Sequence, residues 1–224
     1  MGNTSLQETP TTEKPTGEKK KRISPFYIVL FCLVVVIFAW RVYWVNTHEM
    51  VQVSGDSMNT TLRNDDWLLL DKTTKAKRGD VIVVDVSGYD AFEGTGTKLI
   101  IKRLIAIEGD MLYCNNGEIQ IRYAGTGQFV SLEESYAYYT DKEFYSFDTY
   151  EVKKGEIFFL GDNRNNSVDS RYQEGASRLN CLYKASDIYG VVSSWSIENK
   201  EFLETIFVTI PETIQYVFTG KKRQ

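Results

Sequence analysis

LIIKRLIAI, residues 99–107, sets two cations, Lys102 and Arg103, inside an otherwise aliphatic run. The run is short and β-branched, and the turn formers Glu108, Gly109 and Asp110 close it, as expected of a strand. Side chains alternate along a strand, so Ile100, Lys102 and Leu104 share one face and Ile101, Arg103 and Ile105 the other. One of the two charges is therefore expected on a buried or cleft-lining side. The other reading places both at a strand end or sheet edge, where charge discourages aggregation.

Similar runs lie on both sides of it. WLLL (67–70), DVIVVDV (80–86), EIQIR (118–122), EIFFL (156–160) and YGVVSSW (189–195) are short and β-branched or aromatic, with turn formers between them. Asn116-Gly117 is a two-residue hairpin signal. No helical pattern separates these runs, so residues 46–197 read as a mainly β, antiparallel domain. Residues 111–150 form an inserted region, whose Tyr-, Ser- and Thr-rich part from 123 reads as a loop or small hairpin.

Composition narrows the function. The chain has 224 residues, room for one domain, and 14 Tyr and 12 Phe favour strands. A net charge of −4 without a long basic stripe gives no reason to expect a nucleic-acid partner. Cys32, Cys114 and Cys181 have no metal-ligand spacing, so neither a metal nor any other cofactor is expected. Cys114 and Cys181 could pair in an oxidising compartment, though nothing requires it.

Residues 1–22 are Thr-, Glu-, Lys- and Pro-rich and read as disordered. Residues 23–45 follow as an apolar segment, of which 26–45 make about 30 Å of helix, enough to cross a bilayer. Arg41 can snorkel at its far end, and Trp40, Tyr43 and Trp44 suit an interfacial belt. A cleaved leader would need a small-x-small site after the run, which the sequence lacks. Lys19, Lys20, Lys21 and Arg22 before the segment outweigh Arg41 near its end. The expected topology is single-pass in the cell membrane, with a cytoplasmic N-terminus and an extracytoplasmic β domain. The segment 198–224 is amphipathic: Leu203, Ile206, Phe207, Ile210, Ile214, Val217 and Phe218 share a helical face that Pro211 interrupts. It either packs on the β domain or lies at a lipid surface beside Lys221, Lys222 and Arg223.

VSGDSMNTTL (53–62) contains Ser54 and Ser57, and a serine needs a base before it becomes a nucleophile. His48, the single histidine, sits at the membrane exit and is a poor candidate. That disfavours a Ser-His-Asp triad and a sortase-like Cys-His pair. A lysine can serve if an apolar setting lowers its pKa from about 10.4 to roughly 7–8. Lys75, Lys77, Lys153 and Lys154 lie in solvated turns, whereas Lys102 lies in the aliphatic strand. GDNRNNSVDSR (161–171) adds a polar loop whose Asp and Arg residues can form a charge-assisted network stiffening a neighbouring strand.

SGDSMNTTL (54–62), LLLDKTTKAKRGDVIVVD (68–85), KRLIAIEGD (102–110) and GDNRNNSVDSR (161–171), in this order behind one apolar helix, resemble the boxes of bacterial type I signal peptidases in their Gram-positive form. The resemblance covers residues 50–195. It implies a membrane-bound serine endopeptidase of secretory preproteins built on a coiled antiparallel β-sheet, with Ser57 as nucleophile and Lys102 as general base. Ser167 resembles the residue that hydrogen-bonds and orients the lysine. Asp169 with Arg171 resembles a supporting ion pair, and Asp162 and Arg164 resemble structural residues. Met58 and Leu62 resemble residues lining the pocket for the small residue before the cut. Substrates are expected to carry small residues at −3 and −1, to lie extended beside residues 51–56 and 99–102, and to be met at the lipid bilayer. Thr60 stands where the family usually has proline, and Ala106 and Glu108 replace common glycine and proline. Gly55 stands where some relatives place an oxyanion-hole serine, with Ser54 one place further back.

The alternative is a specialised or non-catalytic relative serving pilus or surface-protein assembly. Such factors tend to lose the serine or the lysine, and both are present here. A Ser-Lys self-cleaving repressor would need a soluble or DNA-binding segment in place of the apolar helix.

Overall fold

The computed structural model describes residues 24–89, 92, 96–141, 146–171 and 183–209. The expected tail at 1–22, Cys181 and the apolar positions beyond 209 lie outside the described residues.

Pro25, with φ preset for a first helical position, opens α1, Pro25–Thr47. Apolar side chains from Phe26 to Val45 are exposed with no polar stripe among them, so no one side is marked for protein packing. Among the described residues α1 is the helix long and apolar enough to cross a membrane. At its end the Thr47 hydroxyl donates to the Trp44 carbonyl (3.2 Å) and lies 2.8 Å from His48 Nδ1. The His48 ring stacks on Trp44.

The rest is mainly β, as the runs predict. The strands are β1 (His48–Gln52), β2 (Trp67–Asp71), β3 (Val81–Asp85), β4 (Leu99–Ile107), β5 (Met111–Asn115), β6 (Glu118–Arg122), β7 (Val130–Ser131), β8 (Phe147–Glu151), β9 (Ile157–Leu160) and β10 (Ile188–Val192). They pair antiparallel in two sheets, a six-stranded one ordered β1-β2-β10-β3-β4-β9 and a four-stranded one ordered β7-β6-β5-β8. The hairpin at Asn116-Gly117 joins β5 to β6, with both residues at positive φ as a type I′ turn needs. The inserted region is more ordered than a loop, because β8 returns to pair with β5 and completes the second sheet.

β3 explains how two cores arise from one sheet. Ile82 and Val84 join the large core with Leu104, Leu112, Ile121, Phe158 and Phe159. Val81 and Val83, on the other face, join Val53, Met58, Leu62, Leu68, Leu70 and Val192. A strand buried on both sides reads as an unbroken aliphatic run, which is why VIVV shows no alternation. Where β4 turns into β5, the buried Asp110 carboxylate accepts from the Ile107 and Ala124 backbone N–H groups and from Arg78 in a two-pronged ion pair. One carboxylate thus ties the two sheets together.

Two expectations shift at the C-terminal end. β10 stops at Val192, and Trp195 lies instead in α2, Ser194–Glu198, followed by α3, Lys200–Glu204. The helical segment therefore begins before Glu201 and is interrupted at Asn199. Leu203 is buried, but Ile206 is exposed, so the predicted face is only partly covered. Cys114 is buried on β5, and burial pushes its thiol up to about 11, a setting for an inert core cysteine.

Candidate active site

β4 brings both of its cations inward: Lys102 and Arg103 are each buried. The expectation of one buried charge is thus too cautious. For Arg103 the reason is its place between β3 and β9, which leaves no sheet edge there to which a cation could retreat.

The Lys102 Nζ lies 2.7 Å from the Ser57 Oγ and 2.9 Å from the Ile101 carbonyl oxygen, to which it donates. Ser57 sits in the loop between β1 and β2. Buried Met58 and Leu62 anchor that loop, and the Leu62 N–H donates to the Met58 carbonyl. Burial lowers the Lys102 pKa to about 8. The Asp169 and Asp162 charges oppose this fall, while Arg171 assists it. A charged amine donates to the hydroxyl at this distance. A neutral amine receives the hydroxyl's proton instead, the arrangement that activates a nucleophile.

The GDNRNNSVDSR loop closes over this pair. The Gly161 N–H donates to Asp169, whose carboxylate also receives two hydrogen bonds from the Arg171 guanidinium at 2.7 Å each. Burial alone would raise the Asp169 carboxyl; Arg171's charge and donors, the Gly161 N–H and the nearby Ser167 hydroxyl outweigh it and hold it low. Asp162 is buried and receives two hydrogen bonds from Arg103 and one from the Thr61 hydroxyl. Arg164, also buried, donates to the Gly161 carbonyl, the Tyr139 hydroxyl and the Glu134 carboxylate.

Three groups of expected site residues lie as follows. The Ser167 Oγ is buried beside Asp169 and makes no hydrogen bond to Lys102, so the expected contact is not formed. The amine already engages Ser57 and Ile101, and Ser167 is pressed against Gly161, where an added Cβ would meet its Oγ at 2.2 Å. Leu62 has no exposed surface and Met58 almost none, so they hold the Ser57 loop from beneath rather than face an open pocket. The Gly55 N–H donates to the Asn64 side chain at 2.8 Å, and Ser54 is exposed.

Sequence reasoning misses several partners. Arg103 belongs to the network through Asp162, and its guanidinium also covers the Tyr136 ring. The inserted region supplies Glu134, Tyr136 and Tyr139, and the Tyr138 N–H donates to the Asp162 carbonyl. Asn163 reaches Asp56 and Ser57. An Asn in a turn-rich loop carries no signal of such a partner. Replacing Arg103 with alanine leaves the buried Asp162 without its ion-pair partner. We expect a loss of about 3–5 kcal/mol. Thermal melting reads it as a fall of roughly 10 °C, and a fall below about 2 °C rules the pairing unimportant.

A serine hydroxyl 2.7 Å from a buried amine is an arrangement that lysine-assisted serine hydrolases can use. The family profile described as "Signal peptidase, peptidase S26" matches residues 23–197. Signal peptidase I U of Bacillus subtilis (strain 168) is 29% identical over 168 residues, covering 70% of this chain and 81% of the relative. Probable signal peptidase I-1 of Synechocystis sp. is 34% identical over 153 residues, covering 64% and 71%. Signal peptidase I of Streptococcus pneumoniae serotype 4 is 29% identical over 195 residues, covering 72% and 87%. The chain belongs to the signal peptidase family, peptidase S26. It is a serine endopeptidase that removes signal peptides from secretory preproteins, and a non-catalytic assembly role is not favoured.

Proposed function

We propose that Ser57 is the nucleophile and Lys102 the general base of this cleavage. The 2.7 Å contact between Ser57 Oγ and a buried Lys102 amine carries the reading. The neutral amine takes the hydroxyl proton as Oγ bonds to the carbonyl carbon of the residue at −1. Negative charge gathers on the carbonyl oxygen, opposite the Ser57 backbone N–H. Collapse breaks the C–N bond, and Lys102 returns the proton to the departing amine of the mature protein. Water, deprotonated by the same amine, then attacks the ester and frees the signal peptide as a carboxylate, restoring the Ser57 hydroxyl. Asp169 and Arg171 hold the Gly161 backbone against this pair, and Asp162 and Arg164 brace the same loop from behind.

The substrate is extended and adds to an open stretch of strand. β9 pairs with β4 only from Arg103 onward, whereas β3 pairs with it from Leu99, so residues 99–102 keep one side free of β9. This supports strand addition there, with small residues at −3 and −1 beside the dyad. The apolar segment 23–45 anchors the chain in the bilayer with its N-terminus cytoplasmic, leaving 46–197 as the extracytoplasmic catalytic region and 198–224 as an amphipathic segment.

The pH dependence tests the base. Only neutral Lys102 is active, so kcat/KM on a preprotein in detergent micelles should rise with pH. The rise is about tenfold per unit below pH 8, levelling off above it. A flat profile between about pH 6 and 9 overturns the proposal.

A further inference from the structure

Asn163 makes two bonds to the nucleophile loop from across the site. Its backbone N–H donates to the Ser57 carbonyl at 3.0 Å, and its side-chain Nδ2 donates to the Asp56 carbonyl at 3.0 Å. The second bond has a consequence for Ser57 itself. The Asp56 carbonyl and the Ser57 N–H belong to one planar peptide unit and point in opposite directions. Whatever fixes the carbonyl therefore fixes the N–H. The same carbonyl accepts the Asn59 N–H at 3.1 Å, a turn bond within the loop. Asn163 adds the tie from that loop to the loop after β9. A donor on the carbonyl also polarises the peptide and makes its N–H a stronger donor.

The side chain is 7% exposed, and its Oδ1 is buried without a hydrogen-bond partner. Burying an acceptor unsatisfied is unfavourable, and turning the amide over would set that oxygen against the Asp56 carbonyl. The amide is thus placed for what its nitrogen does.

We infer that Asn163 is a positioning residue for the oxyanion hole: its side-chain amide aims the Ser57 N–H at the developing oxyanion. This rests on the Ser57–Lys102 reading and deepens it. Because the bond acts on the transition state, removing Nδ2 lowers kcat and leaves ground-state binding alone.

The test compares Asn163→Ala and Asn163→Ser with the parent enzyme, full-length in detergent micelles, on one preprotein and over a range of pH. Both retain the backbone N–H to Ser57, and melting curves select the variant that keeps the parent's fold. The expected result is a kcat lower by about 10–10³-fold with KM within twofold, since loss of a whole oxyanion donor costs about 10²–10³. A substrate-like peptide aldehyde, whose adduct with Ser57 carries the oxyanion, weakens in step with kcat. The ascending pH limb stays at the parent's position. An unchanged kcat, a loss carried in KM, a moved pH limb, or loss of fold in both variants overturns the inference, the last by making Asn163 structural. Ser57→Ala and Lys102→Ala run alongside: if either is active the dyad reading fails, and if both are inactive with Asn163 variants unimpaired only the present inference fails.

Discussion

A Lys102→Met enzyme loses signal-peptide cleavage by roughly 10⁴–10⁶-fold and yet is at least as stable as the parent protein. The loss follows from removing the group that takes the Ser57 proton. The stability follows from the cost of burying the amine. In the folded protein its pKa falls to about 8, against an ordinary lysine value of 10.5. Below pH 8 both folded and unfolded chains are protonated, and the folded one carries a buried cation. Between pH 8 and 10.5 the unfolded chain binds more protons, so stability rises with pH, and above that range the penalty is gone. The full span corresponds to about 3 kcal/mol. Methionine, of similar length, removes that penalty at pH 7 and forfeits hydrogen bonds to Ser57 and Ile101 worth about 1 kcal/mol each. A net gain of about 1 kcal/mol raises the melting temperature by roughly 2–4 °C. Ser57→Ala shows the same loss of activity without the gain. Cleavage of a preprotein within tenfold of the parent rate by either variant sinks the dyad. A Lys102→Met protein melting well below the parent shows that the amine holds the fold together.

Gly161→Ala is the second large effect, and it reaches the nucleophile through the backbone. A Cβ at this position meets the Ser167 Oγ at 2.2 Å, the Ser167 Cβ at 2.5 Å and the Ser57 carbonyl oxygen at 2.5 Å. A rotamer change relieves only the first, because the second is a Cβ and the third is main chain. The Ser57 backbone must move away, and a displacement of about 1 Å at a reacting centre costs roughly 10² in rate. Overpacking adds about 1–3 kcal/mol of destabilisation. Pairing the change with Ser167→Gly clears two of the three contacts but leaves the Ser57 oxygen, so the double variant stays impaired. Steady-state kinetics of both variants check this. Turnover within fivefold of the parent by Gly161→Ala means the loop yields without disturbing Ser57.

Much of the strand layout is legible along the chain because its cause is local. LIIKRLIAI, EIQIR and IFFL state their own burial through aliphatic and β-branched content, and Asn116-Gly117 states its turn through the φ values that pair tolerates. β1 and β8 escape notice for the same reason in reverse. HEMVQ and FDTYE are mixed in polarity, and their place comes from pairing with Trp67–Asp71 and Met111–Asn115. Trp195 is misread because a tryptophan after VVSS prolongs an apparent strand, whereas Ser193 and the residues after it turn into helix.

The sequence by itself determined that a serine here has no suitable histidine, and that one lysine lies in an apolar strand where its proton is easily lost. Residue chemistry and hydrophobic pattern suffice for that, since each is a property of a short stretch. Only the tertiary structure decided which groups meet: Ser57 with Lys102, Arg103 with Asp162, Arg164 with Glu134, and Asn163 with the peptide before Ser57. Hydrogen bonds and ion pairs act over about 3 Å, and partners distant in sequence reach that separation only when sheet pairing and two shared cores bring their strands together.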